Sequence, residues 1–93
     1  MQKITLFYLP HCPYCKEAFR MLEELIRLHP EYAAVQIEKI DESQQMELAA
    51  KFDYYYVPTF YIGDRKMLEA APMTGVGSKE AVEALLKATL LNE

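Results

Sequence analysis

Residues 4–15 have the sequence ITLFYLPHCPYC, and this stretch decides the fold of the 93-residue chain. Its first half is almost entirely apolar and β-prone, a composition typical of a strand buried on both faces. Pro10 ends the strand, and Pro13 is well suited to the first turn of a helix. The only two cysteines of the chain, Cys12 and Cys15, therefore lie where a central strand passes into a helix.

Two thiols at this spacing on a helix N-terminus can form a disulfide with each other. We predict Cys12 as the attacking nucleophile, because the positive field of the helix end and the unpaired N–H groups of Tyr14 and Cys15 favour its thiolate. His11 and Lys16 are candidate positive charges that favour the thiolate further. Cys15 lies on the apolar side of the helix, which favours a protonated resolving thiol.

The cysteine pair has two other interpretations. The cysteines could be small buried residues without chemistry, although burial alone does not require a place at a strand-to-helix junction. They could also bind zinc or an iron–sulfur cluster, with His11, in a non-catalytic binding module. A closed zinc site usually has four ligands, and the chain lacks a second CxxC or a histidine pair, so we predict no metal site. A cluster shared between two chains remains conceivable.

Composition limits the function classes. The chain has a net charge of −4 and no basic run, which argues against a nucleic-acid partner. No stretch approaches the ~18 apolar residues of a membrane span, and no leader pattern is evident, so we expect a cytoplasmic protein with no membrane partner. In that compartment a CxxC is more often catalytic or metal-binding than structural. We expect a single domain over residues 1–93 and a monomer.

The rest of the chain alternates strand and helix patterns. After the first strand, over residues 4–9, the predicted elements are a helix from Pro13 to before Pro30, a strand from residue 33 to about residue 40, a second helix, strands over 57–62 and 65–70, and a last helix after residue 78. Gly63 and Asp64 form a two-residue hairpin signal between the last two strands. The order β-α-β-α-β-β-α predicts an α/β fold with a four-stranded mixed sheet and helices on both faces.

The two later helices have their own signals. Asp41 or Ser43 can cap the second helix, and Ser78 the last. The predicted inward residues of the second helix are Met46, Ala49, Ala50 and Phe52, with Met46 as core filler. Those of the last helix are Val82, Leu85, Leu86 and Thr89. The run Tyr54-Tyr55-Tyr56 either divides between core and surface or forms a substrate-docking rim.

In this order of elements, Cys12-Pro13-Tyr14-Cys15 followed about forty residues later by Val57-Pro58-Thr59 resembles a glutaredoxin, and more broadly the thioredoxin-fold oxidoreductases. The resemblance covers essentially the whole chain and implies a thioredoxin-like fold. It implies that Pro58 is cis, as about 5–6% of X–Pro bonds are, and faces the cysteines. Val57 would then offer its backbone to a substrate as a strand does, with Pro13, Tyr14 and Thr59 as further substrate contacts.

The resemblance also implies an activity, thiol–disulfide exchange that reduces protein disulfides or glutathione mixed disulfides. Cys12 attacks the substrate disulfide, and Cys15 releases the product. Gly77 and Ser78 stand near the place where glutaredoxins hold glutathione, and Ser78 with the helix N–H groups could bind a carboxylate. We expect no tightly bound cofactor, with glutathione as a possible co-substrate. The reductant is glutathione or thioredoxin reductase.

Overall fold

The computed structural model describes residues 2–91. In chain order the elements are β1 (Ile4–Tyr8), α1 (Pro13–Leu28), a 3₁₀ helix (Pro30–Ala34), β2 (Ile37–Asp41), α2 (Met46–Ala49), β3 (Thr59–Ile62), β4 (Arg65–Glu69) and α3 (Lys79–Leu91). The sheet has the strand order β2-β1-β3-β4, with β1 parallel to β2 and antiparallel to β3. This confirms the predicted fold class. Within residues 2–91 no helix combines the length and apolar character needed to cross a membrane.

The sheet buries side chains on both faces, because successive residues of its central strands point in opposite directions. Ile4 and Leu6 of β1 pack into the larger core with residues of α1 and α3. Phe7 points to the other face, where it packs with Tyr61 in a smaller core that also holds Ala49 of α2. Helices α1 and α3 lie on one side of the sheet and α2 on the other. Together they fix the position of the end of β1.

Helix α1 begins directly after Cys12, with Pro13 in its first turn. Its buried face consists of Cys15, Ala18, Leu22 and Leu25, as the three- and four-residue spacing predicts. The chain leaves the helix at His29, before Pro30, because the residue preceding a proline is disfavoured in the helical region. The same helix therefore carries the cysteine motif at its start and contributes Ala18, Leu22 and Leu25 to the larger core along its length.

The structure corrects the start of the second strand. Residues 33 and 34 were predicted to be extended, but they belong to the 3₁₀ helix, and β2 begins only at Ile37. Pro30 favours the helical turn, since its ring fixes φ. Tyr32 is buried and donates a hydrogen bond from its hydroxyl to Glu83 Oε2 at 2.7 Å, which ties the turn to α3.

The structure also corrects the second helix. Met46 was predicted to fill the core, but 70% of it is exposed, and Ala50 is exposed as well. The helix is only four residues long and begins after Gln45, without a side-chain cap. Asp41 accepts hydrogen bonds from the N–H and hydroxyl of Ser43, so it closes a turn and does not cap α2. This turn shortens α2 and moves Met46 to the surface.

The predicted start of α3 is confirmed. The Oγ of Ser78 accepts a hydrogen bond from the N–H of Ala81 at 3.1 Å, the geometry of an N-cap. The four residues predicted on its inner side, Val82, Leu85, Leu86 and Thr89, are all buried. The hairpin at Gly63 is present too, and this glycine has a φ of 61°. Strand β3 begins at Thr59, two residues later than predicted, since Val57 and Pro58 lie in the preceding loop.

Candidate active site

The sulfur of Cys12 caps the N-terminus of α1. Cys12 has an extended backbone, with φ −86° and ψ 119°, and its Sγ accepts a hydrogen bond from the N–H of Cys15 at 3.3 Å. The sequence pointed to two amides, those of Tyr14 and Cys15; among the described residues only the Cys15 amide makes this bond. An amide donor and the positive end of a 16-residue helix both favour negative charge on this sulfur.

Cys15 lies beneath Cys12 and is fully buried, with 0% of its surface exposed. Burial raises the pKa of its thiol to about 12, and the hydrogen bond to the Cys12 sulfur adds to this effect. The Cys15 thiol is therefore protonated at neutral pH, whereas Cys12 is only half-buried and reaches solvent. The two thiols therefore differ in accessibility, and the buried one holds its proton, which fits the division of roles that thiol–disulfide exchange requires.

The third part of the site is the loop before β3. The peptide bond between Val57 and Pro58 is cis. The carbonyl oxygen of Val57 lies 3.7 Å from the Cys12 sulfur, so the loop faces the redox pair. The carbonyl of Pro58 accepts from the N–H of Ala70, but within residues 2–91 no hydrogen bond engages the N–H of Val57. Beside Cys12, Val57 thus presents a backbone donor without a partner in the described part of the chain.

Two clefts flank Cys12. The first, called here the tyrosine cleft, has a volume of about 290 Å³, and its lining includes Leu9, Tyr14, Glu42, Tyr55, Tyr56 and Val57. The second, called the His11 cleft, has a volume of about 530 Å³ and is lined by Leu9, Pro10, His11, Cys12, Ser43 and Gln44. The Cys12 sulfur is therefore open to solvent beside a mainly apolar groove, a position from which it can attack a disulfide in an extended chain.

The comparisons with known proteins agree with this geometry. The sequence model of the thioredoxin family matches residues 2–88. The chain belongs to the thioredoxin family. A thioredoxin of the archaeon Methanocaldococcus jannaschii is 37% identical over 87 residues, which cover 91% of this chain and 93% of that protein. The family match includes the cysteine motif and the cis-proline loop, and it does not specify a glutaredoxin subgroup.

Solved structures of thioredoxin-fold proteins are similar as well. The germline-specific thioredoxin Deadhead of Drosophila melanogaster superimposes with a TM-score of 0.63 at 21% identity, covering 91% of this chain and 77% of that one. A thioredoxin-like protein of Clostridium perfringens gives a TM-score of 0.64 at 24% identity and covers 100% of this chain and 74% of that one. At these identities the likeness establishes the shared fold alone.

In this thioredoxin-family chain the tyrosine run divides between core and surface. Tyr54 stacks on Phe7 with ring centroids 4.9 Å apart, and its hydroxyl donates to Glu42 Oε1 at 2.9 Å. Tyr55 is 84% exposed, and Tyr56 is 49% exposed. Both exposed rings line the tyrosine cleft and form an apolar rim there, and docking of a substrate on this rim stays a prediction.

The other predicted substrate contacts occupy different surroundings. Tyr14 is exposed and donates its hydroxyl to the carbonyl of Pro72 at 3.1 Å. Pro13 is exposed at the start of α1. Thr59 is fully buried, and its hydroxyl donates to the carbonyl of Tyr56, which shapes the loop from inside. Tyr14 lines a cleft and is in a position to touch substrate, whereas Thr59 acts on the loop.

The structure brings Gly77 and Ser78 to the start of α3 and not to either cleft beside Cys12. The N–H of Gly77 donates to the carbonyl of Thr74 at 3.4 Å, and Ser78 caps the helix. His11 and Lys16 are both exposed, and within residues 2–91 neither side chain makes a hydrogen bond to Cys12, although the backbone N–H of Lys16 donates to the Cys12 carbonyl at 3.1 Å. Residues 2–91 contain no group of three His, Cys, Asp or Glu side chains arranged to hold a metal ion, so a metal site would need further ligands.

Sequence reasoning missed Glu69. Its carboxylate accepts hydrogen bonds from the N–H groups of Tyr55 and Tyr56, the latter at 2.8 Å, and pairs with Lys66 at 2.9 Å. These bonds hold the backbone that leads into Val57. Burial opposes ionisation, but the backbone and Lys66 hydrogen bonds outweigh it and lower the pKa of Glu69. No local pattern marks Glu69, because its backbone partners Tyr55 and Tyr56 lie 14 and 13 positions earlier in the chain.

Proposed function

We propose that this thioredoxin-family protein is a dithiol–disulfide oxidoreductase that reduces disulfides in other proteins. The observation that carries the proposal is the Cys12 sulfur, half-exposed at the N-cap of α1, with the protonated Cys15 thiol buried beneath it. A structural cysteine pair does not require one sulfur at a helix end beside an open groove. A redox pair requires this arrangement, because one sulfur must be accessible to attack the substrate disulfide and the other must stay protonated until the mixed disulfide has formed.

The cycle follows from these positions. The Cys12 thiolate attacks one sulfur of the substrate disulfide, which forms a mixed disulfide and expels the other substrate sulfur as a thiolate. Cys15 then loses its proton and attacks the Cys12 sulfur. The Cys12–Cys15 disulfide closes, and the substrate leaves as a dithiol. The substrate has gained two electrons, and a reductant must return two electrons to the protein.

Val57 supports a protein as the substrate. Its N–H, which has no partner within residues 2–91, can donate to a carbonyl of an extended chain in the manner of a strand edge, while the carbonyl faces Cys12. The apolar walls of the tyrosine cleft supply side-chain contacts next to this backbone pairing. The thioredoxin name of the archaeal relative agrees with a protein substrate.

Glutathione remains part of the proposal as an alternative reductant and as a partner in mixed disulfides. Its support is weaker than that for protein substrates, because Gly77 and Ser78 lie outside the clefts and the Ser78 hydroxyl already accepts the Ala81 N–H. Thioredoxin reductase is the rival reductant. Two coupled assays, one with glutathione and glutathione reductase and one with thioredoxin reductase, distinguish the two by their NADPH consumption.

The test of the activity uses reduction of insulin disulfides with dithiothreitol as the electron source. The wild-type protein should accelerate the reaction, and Cys12→Ser should abolish the acceleration. In a separate incubation of the pre-reduced protein with insulin and without dithiothreitol, Cys15→Ser should instead accumulate a mixed disulfide with the substrate, visible as a mass increase that later addition of dithiothreitol removes. Wild-type protein that does not accelerate the reaction, or Cys12→Ser that accelerates it fully, would overturn the proposal.

A further inference from the structure

The tyrosine cleft continues into a second groove away from Cys12. This groove, called here the α2 cleft, has a volume of about 300 Å³ and is lined by Glu42, Met46, Ala49, Ala50, Phe52, Tyr54 and Tyr55. Glu42 and Tyr55 line both clefts. A chain that pairs with Val57 beside the nucleophile can therefore extend past Glu42 onto the surface of α2 without leaving a groove.

Glu42 gives this double groove a negative charge at its centre. Among the residues that line the two clefts, it carries the only side chain charged at neutral pH. It is half-buried, and within residues 2–91 no lysine, arginine or histidine forms an ion pair with it. A carboxylate in such a place attracts a cation more strongly than a fully solvated one does, because the low-dielectric walls screen it less.

Tyr54 fixes the direction of this carboxylate. Its hydroxyl donates to Oε1 of Glu42 at 2.9 Å. Burial first, and then this hydrogen bond, hold the pKa of Tyr54 well above its usual range, so the tyrosine remains the donor. One donor leaves the carboxylate with unused acceptor positions, since two carboxylate oxygens together offer about four. A lysine or arginine of a bound chain can fill these positions.

The wall beyond Glu42 is apolar and exposed. Met46 is 70% exposed and Tyr55 is 84% exposed, next to the partly buried Phe52. Exposed apolar surface rimmed by polar groups marks interaction sites on soluble domains. This patch is continuous with the tyrosine cleft through Glu42 and Tyr55, so one extended segment can cover both.

We infer that the double groove selects substrate segments in which a basic residue and an apolar residue lie close to the reducible cysteine. The basic side chain pairs with Glu42, and the apolar side chain packs on Met46, Phe52 and Tyr55. The occupant is thus a disulfide-bearing protein segment with a cationic flank. The inference rests on the proposed reductase activity and names its substrate class.

The test uses peptides that carry one cysteine as a mixed disulfide with 2-mercaptoethanol. Each peptide has Lys or Glu at one position flanking the cysteine. A Leu follows on the side of that Lys or Glu away from the cysteine. For the wild-type protein, at least one position should give the Lys peptide a kcat/KM roughly tenfold above that of the Glu peptide, equivalent to about 1.4 kcal/mol. The preference should shrink at high salt, because ions screen the pair.

Two variants of equal charge change locate the effect. Glu42→Gln keeps the shape and the acceptor for Tyr54 but removes the charge, so the Lys-to-Glu ratio should fall to near one. Glu47→Gln is the matched control, because Glu47 lies on α2 but lines neither cleft, and the ratio should persist. Met46→Gln should lower kcat/KM for the peptide that has Leu beyond the lysine. It should leave kcat/KM unchanged for a peptide in which Ser replaces this Leu.

The outcomes separate the inference from the activity on which it rests. Equal rates for Lys and Glu peptides at every position, or a ratio that survives Glu42→Gln, would overturn the inference. The neutral probe bis(2-hydroxyethyl) disulfide tests the activity by itself. If the wild-type protein reduces neither this probe nor any peptide, the proposed reductase function fails, and the inference fails with it.

Discussion

The ring of Tyr14 lies directly against the backbone of Gly75, so close that a Cβ on Gly75 would come within 2.7 Å of Tyr14 Cδ1. Gly75 has a φ of +63°, and the hydroxyl of Tyr14 donates to the carbonyl of Pro72 at 3.1 Å. Ring and hydroxyl together seat residues 71–77 on the start of α1. The motif tyrosine therefore joins the redox helix to a loop some sixty residues away in sequence.

Gly75→Ala should destabilise the protein more than Gly77→Ala does. Both glycines have positive φ, so each alanine costs roughly 1–2 kcal/mol of backbone strain. Only at Gly75 does the added methyl also meet the Tyr14 ring, whereas nothing lies within 4 Å at Gly77. Urea denaturation of both variants measures the difference. Adding Tyr14→Ala to Gly75→Ala should relieve the clash with the ring but not the backbone strain. Equal losses of unfolding free energy for Gly75→Ala and Gly77→Ala would contradict this account.

The two cysteines should differ strongly in alkylation. In Cys15→Ser the remaining Cys12 is half-exposed and should react with iodoacetamide at neutral pH. In Cys12→Ser the remaining Cys15 is buried, and burial, the largest cause that raises the pKa of this thiol, keeps it protonated, so it should react at least tenfold more slowly. Mass spectrometry of timed samples gives both rates. Rapid labelling of Cys15 in the folded protein would show that the site is more open than described.

Glu69→Ala should loosen the loop that presents Val57. The change removes the acceptor for the N–H groups of Tyr55 and Tyr56, and a lost hydrogen bond to a charged group costs about 1.5–3 kcal/mol. Hydrogen exchange should accelerate at residues 55 and 56, and KM for a protein disulfide should rise more than kcat falls. Glu69→Gln, which keeps an acceptor, should restore part of the protection.

Lys66→Met is the matched control for this prediction. It removes the 2.9 Å ion pair with Glu69 but leaves both backbone bonds to the carboxylate. Exchange at residues 55 and 56 should then stay close to that of the wild-type protein. Exchange as fast as in Glu69→Ala would mean that the ion pair, and not the carboxylate itself, orders the loop.

The bond between Tyr32 and Glu83 should make stability depend on pH. The hydrogen bond from Tyr32 is the largest cause that lowers the pKa of Glu83 in the folded protein. A lowered pKa means that this stabilisation is fully present above the ordinary glutamate pKa and is lost as the pH falls through the lowered value. Glu83→Gln should therefore be less stable than the wild-type protein near pH 7, and the gap should close as the pH falls through the lowered pKa of Glu83.

Urea denaturation at several pH values measures this gap. Glu23→Gln on α1 is the control, because Glu23 is exposed and its side chain makes no hydrogen bond or ion pair within the described residues. Its stability should follow that of the wild-type protein at each pH. A gap for Glu83→Gln that stays constant with pH would show that the ionised carboxylate is not what stabilises the folded state.

The sequence predicts best what depends on neighbours along the chain. The buried face of α1 follows from the spacing of Cys15, Ala18 and Leu22, and the Ser78 cap follows from one residue type before a helix pattern. The cis bond at Pro58 came from the family resemblance and not from the residues alone.

The errors arise where distant residues decide the local structure. The 3₁₀ helix over Pro30–Ala34 is tied down by Glu83, about fifty positions later, so the alternating pattern beside it was misleading. Glu69 gives no local sign of its role, because its partners Tyr55 and Tyr56 lie on another segment. The exposure of Met46 follows from a turn at Asp41, where helix capping was expected.

The depth of Cys15 has a consequence for timing. In the proposed cycle, a substrate protein joined to Cys12 can leave only after the fully buried Cys15 thiol has given up its proton. Release of the substrate therefore depends on a base that reaches a thiol closed off from solvent. We expect acidification to lengthen the lifetime of the mixed disulfide, because it opposes this deprotonation.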